Sequence, residues 1–421
     1  MSAAPPLRND CFALPPGVDW VPVETALDRL RAGLSTVVGR ETVPLAHAAG
    51  RVLADTAIAR RSNPPAANSA VDGYGFAGPA PDRLTMLPLV EGRAAAGVPF
   101  NGTVPSGHAI RILTGAVLPP GIDTVVLQED VALHDQRVVF HGPLKQGANA
   151  RRAAEDMAAG ATLLPAGHRL VPPDLGMLAA AGLADLTVHL RLRVGVLSNG
   201  DEVVPPGAVA AEDMPVGKIY DANRHMLLAQ LAAWGHEAVD LGHAADDRAN
   251  LRTRLDGALG RVDAILSSGG VSTGDEDHVS ALLSAEGRMD TWRIAVKPGR
   301  PLALGLWHGV PVFGLPGNPV AAYVCTLVFA RPALRVLAGH GWDRPAGLLL
   351  PAAFCKRKKP GRAEYLRARL NAEGQVEVFP SEGSGRVSGL SWAAGLVELD
   401  EGAREIEPGT PVRYIPYTDF D

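Results

Sequence analysis

Val262-Asp-Ala-Ile-Leu-Ser-Ser-Gly-Gly-Val-Ser-Thr-Gly-Asp-Glu-Asp277 is the stretch on which the reading of the fold turns. Its first five residues form an apolar run short enough to be a buried strand. Gly269 and Gly270, with Gly274 behind them, then open a loop. Glycines let a backbone come close to a ligand and aim its N–H groups at an anion. Asp275, Glu276 and Asp277 follow at once, and 278–285 carries a helical pattern. A phosphate cradle thus sits beside a carboxylate cluster, which suits a phosphorylated ligand held with a divalent cation. The same residues also describe an ordinary strand-to-helix turn, since acidic residues favour any helix start. The flanking sequence weighs the two.

On both sides of this stretch strands and helices alternate. The pattern predicts strands at 194–197, 236–241, 292–296, 301–306 and 310–314, and helices at 222–234, 249–259 and 320–329. Such alternation means a doubly wound α/β domain, whose ligand sits at the carboxyl ends of the strands. Three Gly-rich polar loops, at 198–202, 267–277 and 315–319, all fall at strand ends, and their convergence is the main signal for a binding site.

The rest of the chain reads differently. Residues 1–18 are Pro-rich and extended, and 21–32 is an amphipathic helix with Val23, Ala26, Leu27 and Leu30 on one face. Pro64 and Pro65 hold an extended approach to a turn crowded by Asn68, Ser69 and Asp72, which either caps its own backbone or serves a ligand. Short β-like runs fill 84–139 and predict a small β-rich domain. Within it Thr114 either faces a ligand or bonds locally. Arg151, Arg152, Glu155 and Asp156 make either an exposed ion-pair patch or a clamp for an oxyanion. A helix at 172–181 and a strand at 186–190 follow, and 335–421 returns to β-like runs that predict an all-β C-terminal domain. The basic run 355–362 is either a solvated loop or a device that steers an anion.

Composition sets bounds. The chain has 421 residues, 47% hydrophobic and 20% charged, which is ordinary for a globular protein of several domains. A net charge of −5 argues against a nucleic-acid surface. Cys11, Cys325 and Cys355 form neither a disulfide framework nor a metal motif, so a reducing cytoplasm is the expected compartment. The sequence predicts no signal peptide, and no apolar run of about 18 residues is evident that would span a membrane.

Eight motifs in order carry a family resemblance: Asn68-Ser-Ala-Val-Asp-Gly-Tyr74, Thr114-Gly-Ala116, Arg151-Arg-Ala-Ala-Glu-Asp156, Ser198-Asn-Gly-Asp-Glu202, Gly217-Lys-Ile-Tyr-Asp-Ala-Asn223, Ser268-Gly-Gly-Val-Ser272, Lys297-Pro-Gly-Arg-Pro301 and Leu315-Pro-Gly-Asn-Pro319. From about residue 20 to 417 the chain resembles the MoeA-type molybdopterin molybdenumtransferases, relatives of the C-terminal catalytic domain of gephyrin. The resemblance implies a multidomain α/β plus β architecture. An α/β molybdopterin-binding, MogA-like domain would comprise 1–32 and 190–333, and a linking domain 33–55 and 148–189. A β-rich domain would span 56–147 and a C-terminal β domain 334–421.

The implied reaction joins molybdate to adenylylated molybdopterin and releases AMP with help from Mg²⁺. Ser268, Gly269, Gly270, Ser272, Arg293, Lys297 and Arg300 would bind the diphosphate-bearing substrate. Asp277, Asp246 and Glu202 would hold the metal and act in catalysis. Arg367, Ser384, Pro316 and Pro319 would line the molybdate pocket. Thr114, Asp72 and Asp156 would be catalytic residues from the second subunit of a homodimer. Molybdoenzymes or an adenylyltransferase are the implied protein partners; nucleic acid and membrane are not.

The chain also departs from the family pattern. Ala67 stands where an aspartate is usual, which removes one carboxylate from the first motif. Arg293 and Arg300 stand where lysines are common, Asn199 replaces a threonine and Ala154 a glycine. Ala67 motivates an alternative, a molybdopterin-binding scaffold without turnover. A molybdopterin adenylyltransferase is a third reading, opposed by the extra domains on both sides.

Overall fold

The computed structural model describes residues 20–270, 278–292, 294–299 and 302–421. The chain divides into two compact units, one of residues 1–41 and 189–421, the other of 42–188.

The first unit is built on a six-stranded sheet in the order Glu237–Ala244, Arg193–Asn199, Ala264–Ser268, Val310–Leu315, Leu302–Trp307, Arg288–Trp292. The first four strands are mutually parallel, and Leu302–Trp307 runs antiparallel to both of its neighbours, Val310–Leu315 and Arg288–Trp292. Ala264–Ser268 is buried at every position, as a central strand covered on both faces must be. Helices form where the sequence supplies caps. Asp221 accepts the N–H of Arg224 at 3.1 Å to start Ala222–Ala233, and Asp247 accepts that of Asn250 at 2.9 Å to start Arg248–Ala258. One core cluster joins Val23, Leu27 and Leu30 of helix Val23–Gly33 to Val194, Leu266 and Phe313 of the sheet.

A second sheet in this unit orders Val296–Lys297, Ala363–Leu370, Gly395–Leu399, Pro411–Pro416 and Leu348–Pro351, with Val376–Val378 beside Ala363–Leu370. This corrects the strand expected at 292–296. The α/β sheet ends its edge strand at Trp292, and the chain then leaves it, so that Val296 pairs with Ala363 and Lys297 with Glu364. Apolar residues at 294–296 are buried in that crossing, which is why they read as one strand. One helix bears on the membrane reading. Pro319–Leu337 is helical over 19 residues with mean hydropathy 1.6, long and apolar enough by composition to cross a bilayer, but 83% of it is buried within the protein. Arg331 and Arg335 interrupt its apolar run, and Arg331 lies 2% exposed, donating to the Phe420 carbonyl.

The second unit has a six-stranded sheet ordered Thr124–Leu127, Gly73–Phe76, Ala109–Ile112, Leu84–Ala94, Arg137–His141, Ala132–His134. A further cluster, including Leu53, Leu170, Leu178 and Val188, packs under helix Pro172–Ala180. Asp174 begins that helix, accepting from the Val171 N–H at 2.8 Å and meeting His168 Nε2 at 2.7 Å.

Candidate functional site

The parallel strands of the first unit deliver their polar turns to one rim. Asn223 ties two of them together, its Nδ2 donating to Ser268 Oγ and to the Gly317 carbonyl, both at 2.7 Å. Gly269 and Gly270 press against a third. Their φ angles of +91° and +68° lie in the left-handed region. A Cβ on Gly270 would stand 2.1 Å from Asn199 Nδ2, and one on Gly269 would stand 2.3 Å from the Asn199 carbonyl oxygen. The fourth turn closes through two aspartate side chains. Asp246 Oδ2 accepts from the Asp201 N–H at 3.1 Å, and Asp201 Oδ1 accepts from the Asp246 N–H at 3.0 Å.

A small cavity of 60 Å³ opens here, lined among others by Asn199, Glu202, Asn223, Ser268 and Pro319. Both polar atoms of the Asn199 side chain, Asn223 Oδ1 and Ser267 Oγ are buried without a partner among the described residues. Buried polar atoms cost free energy when unpaired, so the three on Asn199 and Asn223, which line this cavity, mark a surface prepared for a polar ligand. Below it, Ser198 Oγ donates to Asp221 Oδ2 at 2.5 Å and Arg224 Nε approaches the same oxygen at 3.1 Å, fixing the base of the turn.

A larger cavity of 330 Å³ lies in the same unit, where the C-terminal sheet meets the α/β segment; Lys297, Val320, Lys356, Arg367 and Glu382 are among its lining. Arg367 is only 4% exposed. Its guanidinium stacks 4.7 Å from the Phe379 ring centroid and donates to the carbonyls of Arg386, Ser381 and Gly383. Burial lowers its pKa. Arg367 therefore shapes the 381–386 loop as well as the cavity wall. The Ser384 carbonyl accepts from the Val320 N–H at 3.0 Å, joining that loop to the helix behind Pro319. Pro316 is buried beside it. The basic run is only in part a solvated loop: 359–361 is exposed and outside any strand. Lys356–Lys358 is a strand paired with Arg404–Ile406, and Lys358 is 2% exposed, its Nζ held by the Lys359 and Gly402 carbonyls.

In the second unit Asp72 Oδ1 accepts from both the backbone N–H of Thr114 at 2.6 Å and its hydroxyl at 2.7 Å. Those hydrogen bonds hold the Asp72 carboxyl below the usual aspartate range. The Thr114 hydroxyl thus bonds a residue 42 positions away. Asp156 accepts from Asn63 Nδ2 at 3.0 Å, and Glu155 from the Arg152 N–H at 2.7 Å. With Arg151 and Asn68 they line a polar cavity of 440 Å³.

Within the first unit the structure brings together Ser268, Gly269, Gly270, Glu202, Asp246, Pro316 and Pro319, and sets Lys297 and Arg367 on the second cavity, with Ser384 bonded to Val320 of its lining. Within the second it joins Asp72 to Thr114 and sets Asp156 at its own cavity. Asp277, Ser272, Arg293 and Arg300 lie outside the described residues. Among the described residues no group of three His, Cys, Asp or Glu side chains could hold a metal ion. Sequence reasoning gave no individual role to Asn223, Asp221, Glu364 or Glu382, and Lys356 entered only as part of the basic run. Asp221 and Asn223 stood inside one of the eight motifs, which was the signal available for them.

The comparisons agree along the chain. Residues 21–182 match the MoeA N-terminal region (domain I and II), 195–336 a probable molybdopterin binding domain, and 350–417 the MoeA C-terminal region (domain IV). The chain is 35% identical to a molybdopterin molybdenumtransferase of Haemophilus influenzae, over 90% of this chain and 94% of the relative. It is 34% identical to the enzyme of that name from Synechococcus elongatus, over 88% and 93%. A solved structure of the molybdopterin biosynthesis moeA protein from Pyrococcus horikoshii OT3 is 27% identical, covers 95% of this chain and 100% of its own, and superposes with a TM-score of 0.81.

Proposed function

This chain belongs to the MoeA family of molybdopterin molybdenumtransferases, and from that premise we propose how its residues divide the work. It is a molybdopterin molybdenumtransferase of molybdenum cofactor biosynthesis, inserting molybdenum into molybdopterin. The convergence of the strand-end turns on Asn223 and Asn199 is the observation that supports this reading. The substrate is adenylylated molybdopterin, its diphosphate linkage lying against Ser268, Gly269 and Gly270 with Ser272, Arg293, Lys297 and Arg300 as further donors. Its polar ring edge meets the unpaired atoms of Asn199 and Asn223. Molybdate enters by Arg367, Ser384, Pro316 and Pro319. AMP leaves as the product.

Mg²⁺ fits the donor set in kind. Glu202 and Asp246 offer hard carboxylate oxygens at the rim, with Asp277 as the third ligand. When bound, the ion neutralises phosphate charge. The enzyme works in the cytoplasm as a homodimer, with Thr114, Asp72 and Asp156 contributed by the partner protomer. Molybdoenzymes and an adenylyltransferase are its exchange partners.

The test is purified protein with adenylylated molybdopterin, molybdate and Mg²⁺. AMP release with formation of active cofactor is the expected result. Tight substrate binding without AMP points instead to a scaffold, the reading Ala67 favours. Consumption of ATP with free molybdopterin points to an adenylyltransferase.

A further inference from the structure

Two lysines and two glutamates form a closed network at the 330 Å³ cavity, which Lys297, Lys356 and Glu382 line. The pairing of Lys297 with Glu364 across neighbouring strands leaves Lys297 Nζ 3.5 Å from Glu364 Oε1, and Lys356 Nζ reaches Glu364 Oε2 at 2.9 Å. Glu382 spans the same two ammonium groups, Oε2 on Lys297 and Oε1 on Lys356. The two carboxylates are held differently. The Glu364 side chain is 9% exposed and stands on strand Ala363–Leu370. That of Glu382 is 47% exposed and stands on the 381–386 loop, outside any helix or strand.

The geometry points to Glu382 as a built-in counter-anion, which fills the place of an external divalent oxyanion and must swing away to admit it. This rests on the transferase reading, whose molybdate is such a dianion. Lys297, Lys356 and Arg367 line the cavity with Glu382, and Glu364 pairs both lysines, so among these five groups one positive charge is left over. Exchanging Glu382 for a dianion closes that balance, whereas exchanging it for a monoanion gains nothing. The carboxylate therefore selects for doubly charged oxyanions by opposing the others. Burial works against the charge on Glu382, but the hydrogen bonds and charges of Lys297 and Lys356 hold its pKa below the ordinary range. Acidification near neutral pH does not open the site; competition does.

Calorimetric titration of the full-length protein with sodium molybdate tests this, with sodium nitrate as the monoanion. Glu382→Gln should bind molybdate about tenfold more tightly than wild type, a difference of about 1.4 kcal/mol. Nitrate, inert against wild type, should compete with molybdate in this variant. Unchanged or weaker molybdate binding by a Glu382→Gln protein of native melting temperature overturns the proposal and leaves Glu382 a structural clip. So does the absence of molybdate binding by both proteins. If Glu382→Gln does not fold, Glu382→Asp, too short to span both lysines, carries the test with the same two outcomes. AMP release by the wild-type enzyme scores the transferase reading separately.

Discussion

Asn223 and Gly270 show how much of the site depends on single atoms. Asn223 spends one amide nitrogen on two turns at once, so Asn223→Ala leaves Ser268 Oγ and the Gly317 carbonyl without their donor. The expected cost is about 1–3 kcal/mol in chemical denaturation, with substrate affinity falling further than stability alone explains. Gly270 was legible as a glycine that brings backbone near a ligand. What it packs against was not, because Asn199 is 71 positions away in sequence and meets it only through strand pairing. Asp72 and Thr114 are a similar case, since a turn hydroxyl and a turn carboxylate look self-sufficient until the sheet aligns them.

Elements carry the next layer. The alternation of strand and helix was legible because short apolar runs and longer helical patterns follow one another along 194–329, and the structure caps two of those helices with Asp221 and Asp247. The crossing at 294–297 was not, since burial alone does not say which sheet a strand joins. The Lys297, Lys356, Glu364 and Glu382 network escaped for the same reason, its members coming from two strand pairings and a loop. Arg367 organises the 381–386 loop through carbonyl oxygens, a fork that lysine cannot reproduce. Arg367→Lys should increase protease cleavage within 381–386 by about tenfold while the strands around it stay protected; an unchanged cleavage pattern would remove that role. At helix Pro172–Ala180, burial works against the Asp174 charge, but the Val171 N–H and His168 hold its pKa below the ordinary value. A depressed folded-state pKa stabilises above the unfolded pKa and is lost as pH falls through the folded one. Asp174→Asn should therefore melt lower than wild type at neutral pH, by about 1 kcal/mol, and the gap should close as pH drops below the ordinary aspartate range. A gap that widens in acid would contradict this.

At the scale of the whole molecule, 42–188 is a compact unit with its own hydrophobic clusters, and strands Arg40–Pro44 and Asp185–His189 pair where it begins and ends. Adjacent ends are what an autonomously folding insertion needs. Residues 40–189 expressed alone should give a dispersed amide spectrum and one cooperative melt; a collapsed, undispersed spectrum would show that the rest of the chain is required. The function read for this molecule rests on the strand-end rim of the other unit. Adding molybdate and Mg²⁺ to the purified chain loaded with adenylylated molybdopterin, and doing the same with Gly270→Ala, measures that claim directly. In the variant a Cβ would meet Asn199 in a left-handed conformation that costs an alanine roughly 1–2 kcal/mol. Wild type should release AMP in step with cofactor formation, and Gly270→Ala should bind the substrate at least about a hundredfold more weakly. A wild-type chain that releases no AMP, or an alanine variant that binds and turns over normally, would contradict the account.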